Sequence, residues 1–155
     1  MSTIISTTMI TTTTYGTWLP GDIRGYVDDG TPLPHDPQVL GQAQRKLQIE
    51  PVHLSREQQD RAFAALRAAC TEFNYWLVAA SFESWHVHLL VQHGDDAIAT
   101  VAGRLKNRMR QAVNHGRIWS SGYDARFCYN DRQLIARRDY INAHRGARTL
   151  PTSHH

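Results

Sequence analysis

The feature that most restricts the fold of this chain is a pair of short β-type runs, residues 75–82 and 86–92, separated only by Glu83-Ser84-Trp85. A connection this short joins adjacent antiparallel strands, because parallel neighbours need a crossover of a dozen residues or more. The second run begins Trp85-His86-Val87-His88-Leu89-Leu90-Val91. Side chains alternate between the faces of a strand, so His86 and His88 share one face while Val87, Leu89 and Val91 share the other. Burying the apolar face fixes the register and leaves two imidazoles on a common surface, the way a strand offers two nitrogens to one metal ion. A bare His-x-His pair also suits a polar sheet face.

The rest of the chain supplies partners for this hairpin. Residues 7–19, rich in Thr, Ile, Tyr and Trp, suit a pleated surface and predict a strand. Residues 20–51 carry Pro20-Gly21, Asp29-Gly30, Pro32, Pro34 and Pro37, a loop-rich insertion with room for a short helix at 37–47. Ser55 and Gln58 form a capping box ahead of Ala62, Phe63, Leu66, Ala69, Cys70 and Phe73, which recur at helical spacing and predict a helix over 56–73. A second amphipathic helix follows from Ile98, Val101, Ala102, Leu105, Met109, Ala112 and Val113. A last strand is expected near 126–129, then a helix beginning at Asp131 as N-cap and running to about His144, within a terminal segment 131–146. The order β-α-β-β-α-β-α predicts one α+β domain over residues 1–155, a ferredoxin-like antiparallel sheet with helices on one face. Cys70 and Cys128 lie in apolar or aromatic surroundings without metal-type spacing and read as reduced core residues. With no signal-type start and no long apolar run, the expected setting is soluble and cytoplasmic, away from membranes.

Charge is distributed unevenly. Residues 1–100 hold 6 of the 17 Lys and Arg and 11 of the 14 Asp and Glu, a balance of −5; the remainder holds 11 against 3, a balance of +8. A basic C-terminal third suits a polyanion, and nucleic acid is the usual one. Arg104, Lys106, Arg108 and Arg110 crowd the polar faces of the second amphipathic helix and are the candidate phosphate contacts. Trp18, Trp85 or Trp119 could stack on unpaired bases, although core packing is the commoner role for each.

The final helix carries Asp139-Tyr140-Ile141-Asn142-Ala143-His144. Tyr140 and His144 stand at i and i+4, one turn apart on one helical face, so a phenol and a third imidazole can point together at the sheet. Tyrosines on such helices are more commonly core residues.

Taken together, these motifs resemble the HUH endonucleases, and in particular the REP-associated tyrosine transposases and related small insertion-sequence transposases. The resemblance covers about 8–19 and 55–145. It rests on Trp85-His86-Val87-His88-Leu89-Leu90-Val91, on Leu105-Lys106 and on Tyr140-Ile141; Tyr15-Gly16-Thr17-Trp18-Leu19-Pro20-Gly21-Asp22 is similar to a motif of one branch. It implies that His86 and His88 bind Mg²⁺ or Mn²⁺, that His144 completes the metal site, and that Tyr140 cleaves single-stranded DNA through a 5′-phosphotyrosine. The substrate would be a DNA hairpin, acted on by a monomer or a homodimer. Where the family pattern reads Asn-Pro this chain has His144-Arg145, an imidazole in place of an amide oxygen, which moves the preference from Mg²⁺ toward Mn²⁺. His154 and His155 at the terminus are left out of the site.

Three other readings bear on function. A two-histidine phosphoesterase needs two separate His-x-Ser/Thr motifs, which the chain lacks. A domesticated, non-cutting single-stranded DNA or RNA hairpin-binding module would keep the fold without turnover. A protein-interaction domain on a ferredoxin-like sheet would have no use for the basic C-terminal third.

Overall fold

A computed structural model describes residues 6–113 and 116–150; His154 and His155 lie outside the described residues. Six strands and four helices follow one another among the described residues: β1 (Thr7–Thr13), β2 (Tyr26–Asp28), β3 (Thr31–Leu33), α1 (Pro37–Arg45), α2 (Arg56–Glu72), β4 (Trp76–Phe82), β5 (His86–Gln92), α3 (Ile98–Val113), β6 (Asp124–Phe127) and α4 (Asp131–Asn142). The main sheet runs β4-β5-β1-β6 with every neighbouring pair antiparallel. This is the split βαβ order of a ferredoxin-like fold: β5 is inserted between β1 and β4, which the chain visits in turn.

Register follows the alternation on β5. Val87, Leu89 and Val91 are buried with Ile10 of β1 and with the apolar stripes of α2 (Ala62, Leu66, Ala69, Cys70) and α3 (Val101, Ala102, Leu105, Met109, Val113). α2 begins where the sequence places it, with the Ser55 hydroxyl accepting from the Gln58 amide and the Gln58 side chain accepting from the Ser55 amide. On β4 the register shifts between Leu77 and Ala79, so Leu77 lies opposite Val91 while Phe82 lies opposite Val87. A bulge at Val78 therefore lets an odd and an even residue both reach the α2–α3 core.

Helices on one face describes α2 and α3 only. α4 lies across β4 and β5 on the opposite face, where Ile141 is buried with Ala79, Leu90 and Cys128. Cys70 and Cys128 are free, buried, and in separate cores on the two sides of the sheet.

Several boundaries differ from expectation. β1 ends at Thr13 rather than reaching Leu19, because Gly16 turns the chain at φ 78. The insertion holds the expected helix and also a β2–β3 hairpin, closed by Asp29 (φ 48) and Gly30 (φ 77). Two successive positive φ values are what a tight hairpin turn requires, so Asp29-Gly30 is a connector here and not a breaker. The last strand is Asp124–Phe127, and Asn130, not Asp131, caps α4 by accepting from the Gln133 amide. No helix among the described residues is long and apolar enough to cross a membrane.

After α4 the chain turns back along the free edge of β4. Phe82 donates to the Gly146 carbonyl, Arg148 donates to the Ala80 carbonyl, and Ser81 bridges to Ala147. A β-carbon at Gly146 would stand 1.9 Å from the Phe82 carbonyl oxygen, whereas one at Gly103 in α3 would meet nothing within 4 Å. Gly146→Ala is expected to cost about 1–3 kcal/mol of stability through overpacking. Gly103→Ala is expected to add about 0.5–1 kcal/mol, because it only reduces the freedom of the unfolded chain within a helix. Urea unfolding of the two variants checks the opposite signs.

Candidate metal and tyrosine site

β5 and α4 bring the histidines together. His86 and His88, 6% and 8% exposed, project from the sheet face that α4 covers, with ring centroids 4.7 Å apart. His144, just beyond α4, places its ring 4.7 Å from that of His88 and 6.2 Å from that of His86. One nitrogen from each of the three rings lies within 4.8 Å of the others. The Tyr140 ring is 4.7 Å from His144 and 5.6 Å from His88, and the residue is 51% exposed.

Hydrogen bonds set the ring orientations. The Tyr140 carbonyl, which can only accept, is 2.8 Å from His144 Nδ1, so Nδ1 donates and Nε2 carries the lone pair. His88 Nδ1 is 2.7 Å from the Thr11 hydroxyl, which again leaves Nε2 open. Glu83 in the β4–β5 turn accepts from His86 Nε2 at 2.9 Å. That contact assigns the remaining lone pair of His86 to Nδ1, which is buried and has no hydrogen-bond partner among the described residues. Three imidazoles, an outer hydrogen-bond partner for each and one orphaned buried nitrogen fit a divalent cation.

Burial keeps the sheet histidines neutral. Desolvation, followed by the His144 and Arg24 charges, pushes His86 down to about 4. Desolvation, followed by His86 and His144, pushes His88 down to about 4. At neutral pH both rings are therefore unprotonated, as a metal ligand must be.

Sequence reasoning missed three supporting residues. Thr11 sits directly opposite His88 in the β1–β5 register. Glu83 stands three residues before His86, a spacing that a hairpin turn brings into contact. Arg24 comes from the insertion: its guanidinium carbon lies 4.3 Å from the Trp18 ring centroid and 4.4 Å from that of Trp85, whose ring is 3.8 Å from His86. Of the three tryptophans considered for base stacking, Trp119 is buried with its Nε1 donating to the Lys106 carbonyl, which leaves Trp18 and Trp85 near the histidines.

The basic residues of α3 are not brought to this site, because α3 packs on the other face of the sheet. Arg108 makes a bidentate pair with Glu72, and Arg104 bonds Asp96 and the Tyr75 hydroxyl; both stack on Phe73. Lys106 donates to the Ser120 and Gly122 carbonyls, and Arg110 to Asn107. Lys106 and Arg110 also line a groove of about 360 Å³ with Trp119 and Tyr123.

The chain forms an α+β domain with a ferredoxin-like antiparallel sheet, on one face of which three histidines meet. It is similar to a solved structure of a REP-associated tyrosine transposase bound to a REP hairpin, at 14% identity and a TM-score of 0.57, over 91% of this chain and 67% of that one. No family model and no curated protein matches the sequence.

The histidine shifts carry a stability consequence. Folded values near 4 lie below the ordinary 6.5, so between those limits the unfolded chain binds more protons than the folded one. Stability of the metal-free protein is thus expected to fall as pH drops from about 6.5 to about 4, and to be unaffected by these groups at higher pH. Urea midpoints at pH 7.5, 6 and 5 check this, and His86→Gln/His88→Gln should flatten the decline.

Proposed function

We propose that this chain is a metal-dependent single-stranded DNA endonuclease and strand transferase acting through a 5′-phosphotyrosine on Tyr140. The observation that carries the reading is the meeting of His86 and His88 from the sheet with Tyr140 of the terminal helix and His144 just beyond its end. The solved neighbour bound to a REP hairpin supports hairpin DNA as the substrate class.

His86, His88 and His144 would hold the cation, with Mn²⁺ favoured over Mg²⁺ because all three ligands are imidazoles. When bound, a divalent cation supplies charge that polarises the scissile phosphate. The chain itself does the rest. Glu83 and the Tyr140 carbonyl, which only accept, hold His86 and His144 in tautomers that leave a lone pair free, and the Thr11 hydroxyl anchors Nδ1 of His88. Tyr140 presents its phenol beside them, open to the solvent that receives its proton. Its oxygen forms the new bond to phosphorus as the bond to the 3′ oxygen breaks, and that oxygen takes up a proton to leave as a 3′-hydroxyl. Because the phosphodiester energy is kept in the tyrosine link, another 3′-hydroxyl can reverse the step without ATP.

For the DNA path, Lys106 and Arg110 are the α3 residues proposed to contact phosphates, since they border an open groove. Arg104 and Arg108 should contribute less, because Asp96 and Glu72 already satisfy them.

Incubating a labelled single-stranded hairpin with protein and Mn²⁺ should give a covalent adduct stable to denaturation. Tyr140→Phe should abolish it while leaving hairpin affinity within about twofold. An adduct on the Phe variant would exclude Tyr140 as nucleophile; tight binding with no adduct on the unaltered protein would instead favour the non-cutting binding module. His144→Asn, which restores an amide oxygen, should move the metal preference toward Mg²⁺.

A salt titration tests the DNA path separately. Neutralising Lys106 and Arg110 together should lower the slope of log affinity against log salt by roughly 1.4, at about 0.7 per single-strand phosphate contact. Neutralising Arg104 and Arg108 should change it by less than half as much.

A further inference from the structure

We propose that Arg24 is a phosphate-binding residue for the substrate strand, held beside the histidine cluster to take the non-bridging oxygens of a phosphodiester near the one attacked. This rests on the reading of the site as a DNA-cleaving centre.

The loop around Arg24 is braced on every side. The Trp18 indole donates to the Gly25 carbonyl at 2.8 Å. Gly21 adopts φ 85, and a β-carbon there would stand 2.3 Å from the Leu40 amide nitrogen, so α1 presses directly on the loop backbone. Asp22 is buried and receives Nε and Nη2 of Arg24 at 2.7 Å each, while Nη2 also donates to the Thr17 carbonyl at 2.6 Å. The guanidinium is thereby fixed against both the Trp18 and Trp85 rings, whose centroids are 5.4 Å apart, one aromatic layer from His86.

This arrangement leaves part of the guanidinium unspent. Nη1 makes no hydrogen bond among the described residues, and the Arg24 side chain is 37% exposed. A guanidinium with two free N–H groups, already immobilised and partly desolvated, loses little further entropy on taking a phosphate oxygen. The insertion that builds this loop also supplies α1 to support it, so its structure ends in one oriented donor next to the histidines. Asp22 cancels the charge of Arg24, so the carboxylate sets how strongly the guanidinium attracts a phosphate.

That last point gives opposite signs for two substitutions. The probe is a fluorescent single-stranded oligonucleotide, titrated without metal at several salt concentrations by anisotropy. Asp22→Asn should bind it several-fold more tightly, because the guanidinium charge is unmasked. Asp22→Asn/Arg24→Gln, which leaves no buried charge unpaired, should bind about tenfold more weakly than the unaltered protein and lose about 0.7 from the salt slope. If Arg24 only braces the loop, both variants weaken binding together or leave affinity and slope unchanged, and either result overturns the proposal. Thermal melts confirm that each variant is folded.

Adduct formation by the unaltered protein with Mn²⁺ tests the cleavage reading independently. Binding without an adduct would remove that reading, and the two variants would still decide the role of Arg24. An unaltered protein that does not bind the oligonucleotide overturns both.

Discussion

The alternation along β5 is the constraint on which the rest depends. Val87, Leu89 and Val91 are each buried against α2 and α3, and a slip of one residue would turn all three toward α4 and drive His86 and His88 into an apolar core. Burying three such side chains is worth several kcal/mol, at roughly 1.5–3 each, while burying two unpartnered imidazoles would cost free energy. The histidines are therefore placed by the hydrophobic effect acting on their neighbours. The bulge at Val78 extends the same logic to β4, letting Leu77 and Phe82 face one core although their numbers differ by an odd count.

Much of this was legible because it is periodic. The β4–β5 hairpin, the capping box at Ser55 and the stripes of α2 and α3 each repeat a local rule several times over, so one exception does not obscure them. α4 was different: its existence could be read, but its side of the sheet could not, since Ile141 is its one buried residue among many charges. The β2–β3 hairpin was hidden by Pro32 and by reading Asp29-Gly30 as an interruption. The end of β1 was hidden because Tyr15 and Trp18 have strand-forming side chains on a backbone that Gly16 has already turned.

Pairwise chemistry was the least legible layer. The spacing of His86, His88, Tyr140 and His144 marked out the cluster, since each pair lies within a single strand or a single turn. The partners that orient the rings come from elsewhere, Thr11 by sheet pairing and Glu83 by the geometry of a turn. The same applies to the arginines of α3: helical periodicity puts Arg104 and Arg108 on a polar face, yet Asp96 and Glu72, which engage them, belong to other segments. A count of basic residues overstates the free charge for that reason.

α4 brings few buried side chains to the molecule, against four on α2 and five on α3, and the segment after it is held to β4 by hydrogen bonds at a sheet edge. Local opening is cheapest where least apolar surface is lost, so the helix carrying Tyr140 is the loosest of the three main helices. His144 hangs from this joint while His86 and His88 belong to the most deeply packed strand. Any ligand gripping all three acts as a rivet between a lightly packed helix and the most deeply packed strand, and its binding free energy appears as added local stability of that one helix.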